Sequence, residues 1–334
     1  IYPVDTLGTL FQHLNGETRI EPTPTIIPEE VPVEVRTDFS EIFDYITRKS
    51  VSYKLNTNGT LITPDVARRI RDSGIEYSGI SLDGAREETH DRFRNSPGAF
   101  KKTIAAFAAC KEAGLRCGVR VTLTRENCRE LEALIDLALT LCASRFCLYW
   151  LVPTGRGSDS YERLQLDRSE VIEALDILYR KAKQTDPAAM EFLTVDAPQD
   201  CIHLLASMER DGSEDLAEAR ELLESLHGGC SAGTRVANID AQGNVYPCQF
   251  ARSPEFLVGN VRDRLFGELW SDDKNPVLVR FRKKQAVFGG RCGNCTWRDL
   301  CGGGCRASAR WCGGYARRDP KCLGAFSGPV TADG

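Results

Sequence analysis

The sequence predicts an α/β protein: a curved, barrel-like parallel sheet made of βα units, followed by a small cysteine-rich module. Three observations carry this expectation. Between about residues 31 and 160, short β-branched and aromatic runs alternate with amphipathic runs of helical period, the pattern of βα units in series. The loops after successive strand candidates are rich in Asn, Asp, Thr and Gly, and parallel sheets gather functional groups at the carboxyl ends of their strands. Of the 14 cysteines in 334 residues, eight lie from Cys230 onward, five of them between Cys292 and Cys312.

Composition excludes several classes. The chain carries 43 Lys and Arg against 47 Asp and Glu, a formal charge of −4, with 42% hydrophobic and 27% charged residues. Such a chain buries a full core and is not intrinsically disordered. No apolar run nears the roughly 20 residues that cross a bilayer, so no membrane partner is expected. The mildly acidic balance argues against nucleic acid, whose phosphates need a clustered basic surface. No basic n-region and apolar h-region open the sequence, so the expected location is the cytoplasm. Fourteen cysteines are too few for a disulfide-stapled mini-scaffold and too many for an ordinary cytosolic chain. Dense local cysteine in a reduced compartment points to metal binding.

In chain order, residues 1–30 form an extension that ends in a proline-rich stretch (Pro22, Pro24, Pro28 and, just beyond it, Pro32) without chemistry of its own. Strand candidates follow at 33–35 (VEV), 51–55 (VSYKL), 77–82 (YSGISL), 118–123 (GVRVTL) and 146–152 (FCLYWLV). Thr63-Pro64 reads as N-cap and first helical residue of a helix ending at Gly74, Ser96-Pro97 as the start of one ending at Gly114, and Asn127 with Glu130 as a capping box. Residues 161–227 read as two or three charged amphipathic helices completing the barrel. From about Gly228 the texture changes, and VANIDAQGNVYPCQF reads as a hairpin with Gly243-Asn244 in its turn and Cys248 on the return strand. The module spans 228–324, with 325–334 a tail.

The densest motif is Cys292-x2-Cys295-x5-Cys301-x3-Cys305, followed by Cys322 and preceded by Cys230 and Gly243-x4-Cys248. Thiolates bind soft metals, and glycines such as Gly302-Gly303-Gly304 let a chain wrap closely round an inorganic core. Spacing leaves two zinc sites or two iron–sulfur clusters open.

This run of cysteines resembles the SPASM extension of radical S-adenosylmethionine (SAM) enzymes. The resemblance implies two auxiliary [4Fe-4S] clusters, one on Cys230, Cys248 and Cys305, the other on Cys292, Cys295, Cys301 and Cys322, with Cys312 a further candidate ligand of the first. The barrel half agrees: KLNTNGT and GISLDG resemble the third- and fourth-strand ends of the radical SAM partial barrel, and the HDRFRNSPGAF segment after the latter is also typical of it. By that likeness Asn56, Asn58, Ser81 and Asp83 contact SAM, and Arg94 partners its carboxylate. The implied fold is a partial (β/α) TIM-like radical SAM barrel plus a small cysteine-rich SPASM domain.

Two family features are missing. No cysteine precedes Cys110, so the Cys-x3-Cys-x2-Cys motif that binds the [4Fe-4S] SAM cluster is absent, as is a GGEP-like segment. VPVEVR resembles the first strand and TDFSEIFDYITRK the helix after the GGEP segment, pieces that would not normally adjoin. The expectation is that both missing units are lost between Arg36 and Thr37; the alternative is a degenerate, noncatalytic iron–sulfur electron-transfer protein.

Radical SAM enzymes cleave SAM to a 5′-deoxyadenosyl radical that abstracts hydrogen from unreactive C–H bonds. LVPTGRGSD (151–159), LTVDAPQD (193–200) and RASARWCGGYARRDPKC (306–322) look most like the tetrapyrrole-modifying group, including the anaerobic haem synthase that converts two propionates of iron-coproporphyrin III to vinyls. Arg156, Arg306 and Arg310, with Arg317 and Arg318, are candidate propionate partners, because guanidinium binds carboxylate bidentately. The runner-up is a maturase that crosslinks a ribosomally made peptide. A reductant such as flavodoxin or ferredoxin is implied. Intact mass of the natural protein tests the lost segment: a value well above 37.0 kDa is expected, and a polypeptide near that mass would overturn it.

Overall fold

The computed structural model describes residues 53–195, 197–225, 230–283, 290–311, 313–314 and 319–323, with isolated positions between 41 and 48. The extension, the 33–35 strand candidate, the Arg36–Thr37 junction and Cys312 lie outside them. The described residues form two compact units, one from 53–230 and 288–334, the other from 231–287.

The larger unit contains a five-stranded parallel sheet whose strands lie in chain order, β1 to β5, as right-handed βα crossovers require. β1 (Leu55–Thr57) is followed by α1 (Pro64–Asp72), β2 (Ser78–Ser81), α2 (Glu87–Arg94), α3 (Ala99–Ala113), β3 (Cys117–Leu123), α4 (Leu131–Thr140), β4 (Arg145–Trp150), α5 (Arg168–Gln184) and β5 (Glu191–Val195). Parallel pairing sets Ile80 beside Val119 and Val119 beside Phe146. With Leu82, Val121, Leu123 and Leu148 these form a dry layer of residues no more than 1% exposed. A Cβ on Gly59 would meet Ile80 and Ala106 of α3, so this layer faces the helices. Alternation sends Asn56, Gly79, Ser81, Arg120, Cys147 and Tyr149 to the opposite face.

Several local expectations needed correction. Thr63 does cap α1, accepting from the Val66 N–H (3.3 Å). The start of α3 is instead held by Asp91, whose carboxylate accepts from the backbone N–H groups of Gly98 (2.5 Å) and Phe100 (2.7 Å); a neighbouring helix outcompetes Ser96. The Asn127–Glu130 capping box does not form, because tertiary partners take both side chains. Asn127 Oδ1 accepts from the Thr124 N–H (2.7 Å), and Glu130 accepts from the Ala85 N–H (2.9 Å) and Thr89 hydroxyl (2.6 Å). β1 extends through Asn56 and Thr57, expected in a loop, because they pair with Gly79 and Ile80. β5 was missed altogether within the run read as helical. It is short and half-exposed, and its pairing with β4 rather than its own hydrophobicity defines it.

After β5 come α6 (Asp200–Arg210) and α7 (Leu216–Ser225). The smaller unit is a three-stranded antiparallel sheet, β6 (Asn238–Ile239), β7 (Asn244–Tyr246) and β8 (Gly259–Asn260). The expected hairpin is present, but Asn244 already belongs to β7. Asp240 Oδ1 accepts from the Gln242 and Asn244 N–H groups, both at 2.9 Å. Val245, Val261, Leu278 and Phe281 form its core.

α6 is pinned at its first residue. Asp200 is fully buried, and its Oδ2 accepts from Trp150 Nε1 at the end of β4 (2.8 Å). Burial pushes the Asp200 carboxyl up to about 7, against the bonds from Trp150 and Thr194. Folding therefore takes up a proton between about pH 4 and pH 7, and the stability tied to this group falls as pH rises through that window, by roughly 4 kcal/mol in total. Asp200→Asn is expected to flatten that part of the pH–stability curve in denaturant titrations; an unchanged curve would contradict the assignment.

Candidate functional site

Asp83 is the hub at the carboxyl end of β2. It is fully buried, forms an ion pair with Arg94, accepts from the Thr122 N–H (2.9 Å), and its backbone carbonyl accepts from Asn127 Nδ2 (2.9 Å). Its own N–H donates to His90 Nδ1 (3.1 Å). Burial, and then the Arg94 charge, hold His90 down to about 4, so the ring is neutral and can accept. Arg94 is thus engaged by an internal carboxylate rather than standing free for a ligand's. Asn58 is exposed, and its Oδ1 accepts from the Thr60 N–H (3.1 Å) and hydroxyl (3.0 Å). Asn56 and Ser81 do reach the face turned away from the helices.

On that face stands a guanidinium that the sequence reading passed over. Arg120, in the middle of β3, lies 4.5 Å from the Tyr149 ring centroid on β4; no described carboxylate forms an ion pair with it. Pairing sets Arg120 between Ser81 and Cys147. Gly79 makes room: a Cβ there would come within 2.5 Å of both Arg120 Cδ and Asn56 Oδ1. The alternation in GVRVTL and FCLYWLV carried the signal, since their polar members fall on one face.

The cysteines of the larger unit gather. Cys292, Cys295, Cys301 and Cys322 line one narrow cavity, with Gln199, Ile202, Arg298, Gly303 and Asp319. Burial pushes the Cys301 thiol far up, and the nearby Cys201 and Cys322 push it further. Cys305 is pushed up to about 12 by burial, with Asp319 and Cys230 close enough to add to it. Such thiols ionise at neutral pH only when a metal takes the thiolate. Cys248 lies just after β7 in the smaller unit.

Asp319 holds the segment in place. Its two carboxylate oxygens accept from the Cys305 N–H (2.7 Å) and the Lys321 N–H (2.8 Å). Gly304, at φ +75°, is required there, since a Cβ would approach Asp319 Cβ to 2.6 Å. Lys321 Nζ donates to the Leu151 carbonyl (2.9 Å) and the Tyr161 hydroxyl (3.0 Å), tying the cysteines to the rim of the sheet. Of the arginines expected to meet substrate, Arg306 is 1% exposed and its charge acts on Asp319, so it is not the open basic surface a propionate would need. Arg310 is exposed, while the side chain of Arg156 and all of Arg317 and Arg318 lie outside the described residues.

The model of the radical SAM superfamily matches residues 33–138, and that of an iron–sulfur cluster-binding domain, SPASM, matches 230–296. The chain is 33% identical over 307 residues to the Fe-coproporphyrin III synthase of Methanosarcina barkeri, covering 90% of this chain and 75% of that one. The chain belongs to the radical SAM superfamily. This radical SAM chain is also similar to an AdoMet-dependent heme synthase of the same organism (30% identity; 86% of this chain, 79% of that one) and to mycofactocin maturase MftC of Mycobacterium tuberculosis (34%; 89% and 70%). The fold matches anSMEcpe with bound AdoMet (TM-score 0.59, 19% identity; 85% of this chain, 75% of that one) and SuiB of Streptococcus suis bound to the precursor peptide SuiA (0.65, 18%; 86% and 62%). It is a radical SAM/SPASM enzyme, and its family uses SAM and iron–sulfur clusters. The cysteine quartet suits a cluster; for the SAM cluster the chain offers no matching motif.

Proposed function

We propose that this enzyme acts on a tetrapyrrole, oxidatively decarboxylating the propionates of iron-coproporphyrin III to vinyl groups in the cytoplasm. Cys292, Cys295, Cys301 and Cys322 would hold one auxiliary [4Fe-4S] cluster, and Cys230 and Cys305 would serve a second. Four thiols round one cavity are the number a [4Fe-4S] cluster takes, one to each iron, which supports this assignment.

The observation that carries the substrate reading is Arg120 stacked on Tyr149: a flat cation on an aromatic plate suits a flat, carboxylate-bearing ring. It also replaces Arg94 as the guanidinium available to a carboxylate. Each propionate gives up CO₂, a hydrogen atom and an electron as it becomes a vinyl. The chain's part is to hold the carboxylate, with Arg120, and to offer an electron acceptor in its auxiliary clusters. The similarity to mycofactocin maturase favours a second reading, modification of a small peptide at the same face.

Anaerobically reconstituted full-length protein, given SAM, a flavodoxin-type reductant and iron-coproporphyrin III, is expected to form haem b and CO₂. Arg120→Met should lower turnover roughly tenfold or more, the loss of one charge-assisted pair. Inert porphyrin beside a modified peptide would overturn the tetrapyrrole reading in favour of the second.

A further inference from the structure

The cavity that holds the four cysteines has a polar wall that no cysteine motif accounts for. Gln199 is 2% exposed and lines it, and its Oε1 accepts no hydrogen bond from any described residue. A buried amide oxygen left unsatisfied is destabilising, so its placement needs a partner. Gln199 is the N-cap residue of α6, yet its side chain makes no capping bond. Ile202, in the first turn of the same helix, lines the cavity too. The helix start cannot swing away, because Asp200 is tied to Trp150.

We infer that Gln199 tunes the reduction potential of the cluster on Cys292, Cys295, Cys301 and Cys322, by donating an amide N–H to one of its sulfurs from the N-terminal end of α6. This rests on the cluster assignment proposed above. A half-turn of the amide exchanges its oxygen and its NH₂, so the group can present a donor to a sulfur. Hydrogen bonds to cluster sulfurs and the positive end of an eleven-residue helix both favour the more negative, reduced state. Both therefore raise the potential, which eases acceptance of an electron from an oxidised substrate. Arg298, on the same cavity wall, is ion-paired with Asp299 (3.6 Å), and Asp319 lines the cavity too, so these side-chain charges oppose one another.

The test is an EPR-monitored redox titration of the cluster-loaded protein and its Gln199→Met variant, which keeps the side chain's length and removes the donor. Cys295→Ala identifies the relevant signal as the one it abolishes, with iron and sulfide falling by one cluster. Gln199→Met is expected to keep full iron and sulfide and to lower the reduced-to-oxidised ratio of that cluster about tenfold at fixed potential, about 59 mV for one electron. Apo-protein stability should stay level or rise, because the removed amide has no internal partner. Gln199→Glu, which cannot donate when ionised, should lower the potential as well. An unmoved midpoint in both variants at full cluster content would overturn the inference and leave the cluster assignment standing. If Cys295→Ala removes no iron, both fall. Should Gln199→Met fail to load, the midpoint of Gln199→Glu alone decides.

Discussion

The placement of the cysteine-rich segment depends on one buried carboxylate. Asp319 sits 2% exposed and satisfies both its oxygens with backbone N–H groups, one on Cys305 and one on Lys321. That bond pair fixes the chain on either side of the loop that returns to Cys322. Lys321 then carries the restraint to Leu151 and Tyr161, and Arg168 adds a bond to the Leu323 carbonyl (3.2 Å). These contacts hold the segment bearing Cys322 beside the one bearing Cys292, Cys295 and Cys301, so that the four thiols line one cavity. Preorganisation of that kind is what outer partners of a metal site contribute.

A similar logic governs the sheet. Asp83 collects a charge, a backbone N–H and an imidazole at the end of β2, and Asn127 closes over it from the loop after β3. Removing water from an ion pair is costly; the Thr122 N–H on Asp83 Oδ1 and the Arg94 charge offset part of that cost. The result is a stiff rim beside the face on which Arg120 and Tyr149 stack. Arg94 belongs to that rim and is engaged by Asp83, while Arg120 stands on the face turned away from the helices.

What could be read from the chain follows the range of the interactions. Periodicity located the βα units and the face of Val119, Val121 and Leu123, because alternation is a local property. The spacing of the cysteines from Cys292 onward marked a soft-metal site for the same reason, with zinc and iron–sulfur both open. β5 escaped because its strand character comes from β4. The Asn127–Glu130 pair misled because Asn127 turns to Thr124 and the Asp83 carbonyl while Glu130 turns to Ala85 and Thr89. Arg120 was visible as a polar residue in an apolar strand, yet only register showed that it stands beside Tyr149. Gln199 had no sequence signature at all, since nothing local says that a glutamine before a helix will face a cysteine cavity 90 or more residues ahead in the chain.

The central claim is that the cysteine quartet holds an iron–sulfur cluster, and crystals of anaerobically purified protein measured at the iron absorption edge test it most directly. The account predicts a compact anomalous peak bonded to Cys292, Cys295, Cys301 and Cys322, and none of comparable strength at the zinc edge. Tetrahedral zinc on those four sulfurs, or iron bound only elsewhere, would contradict it.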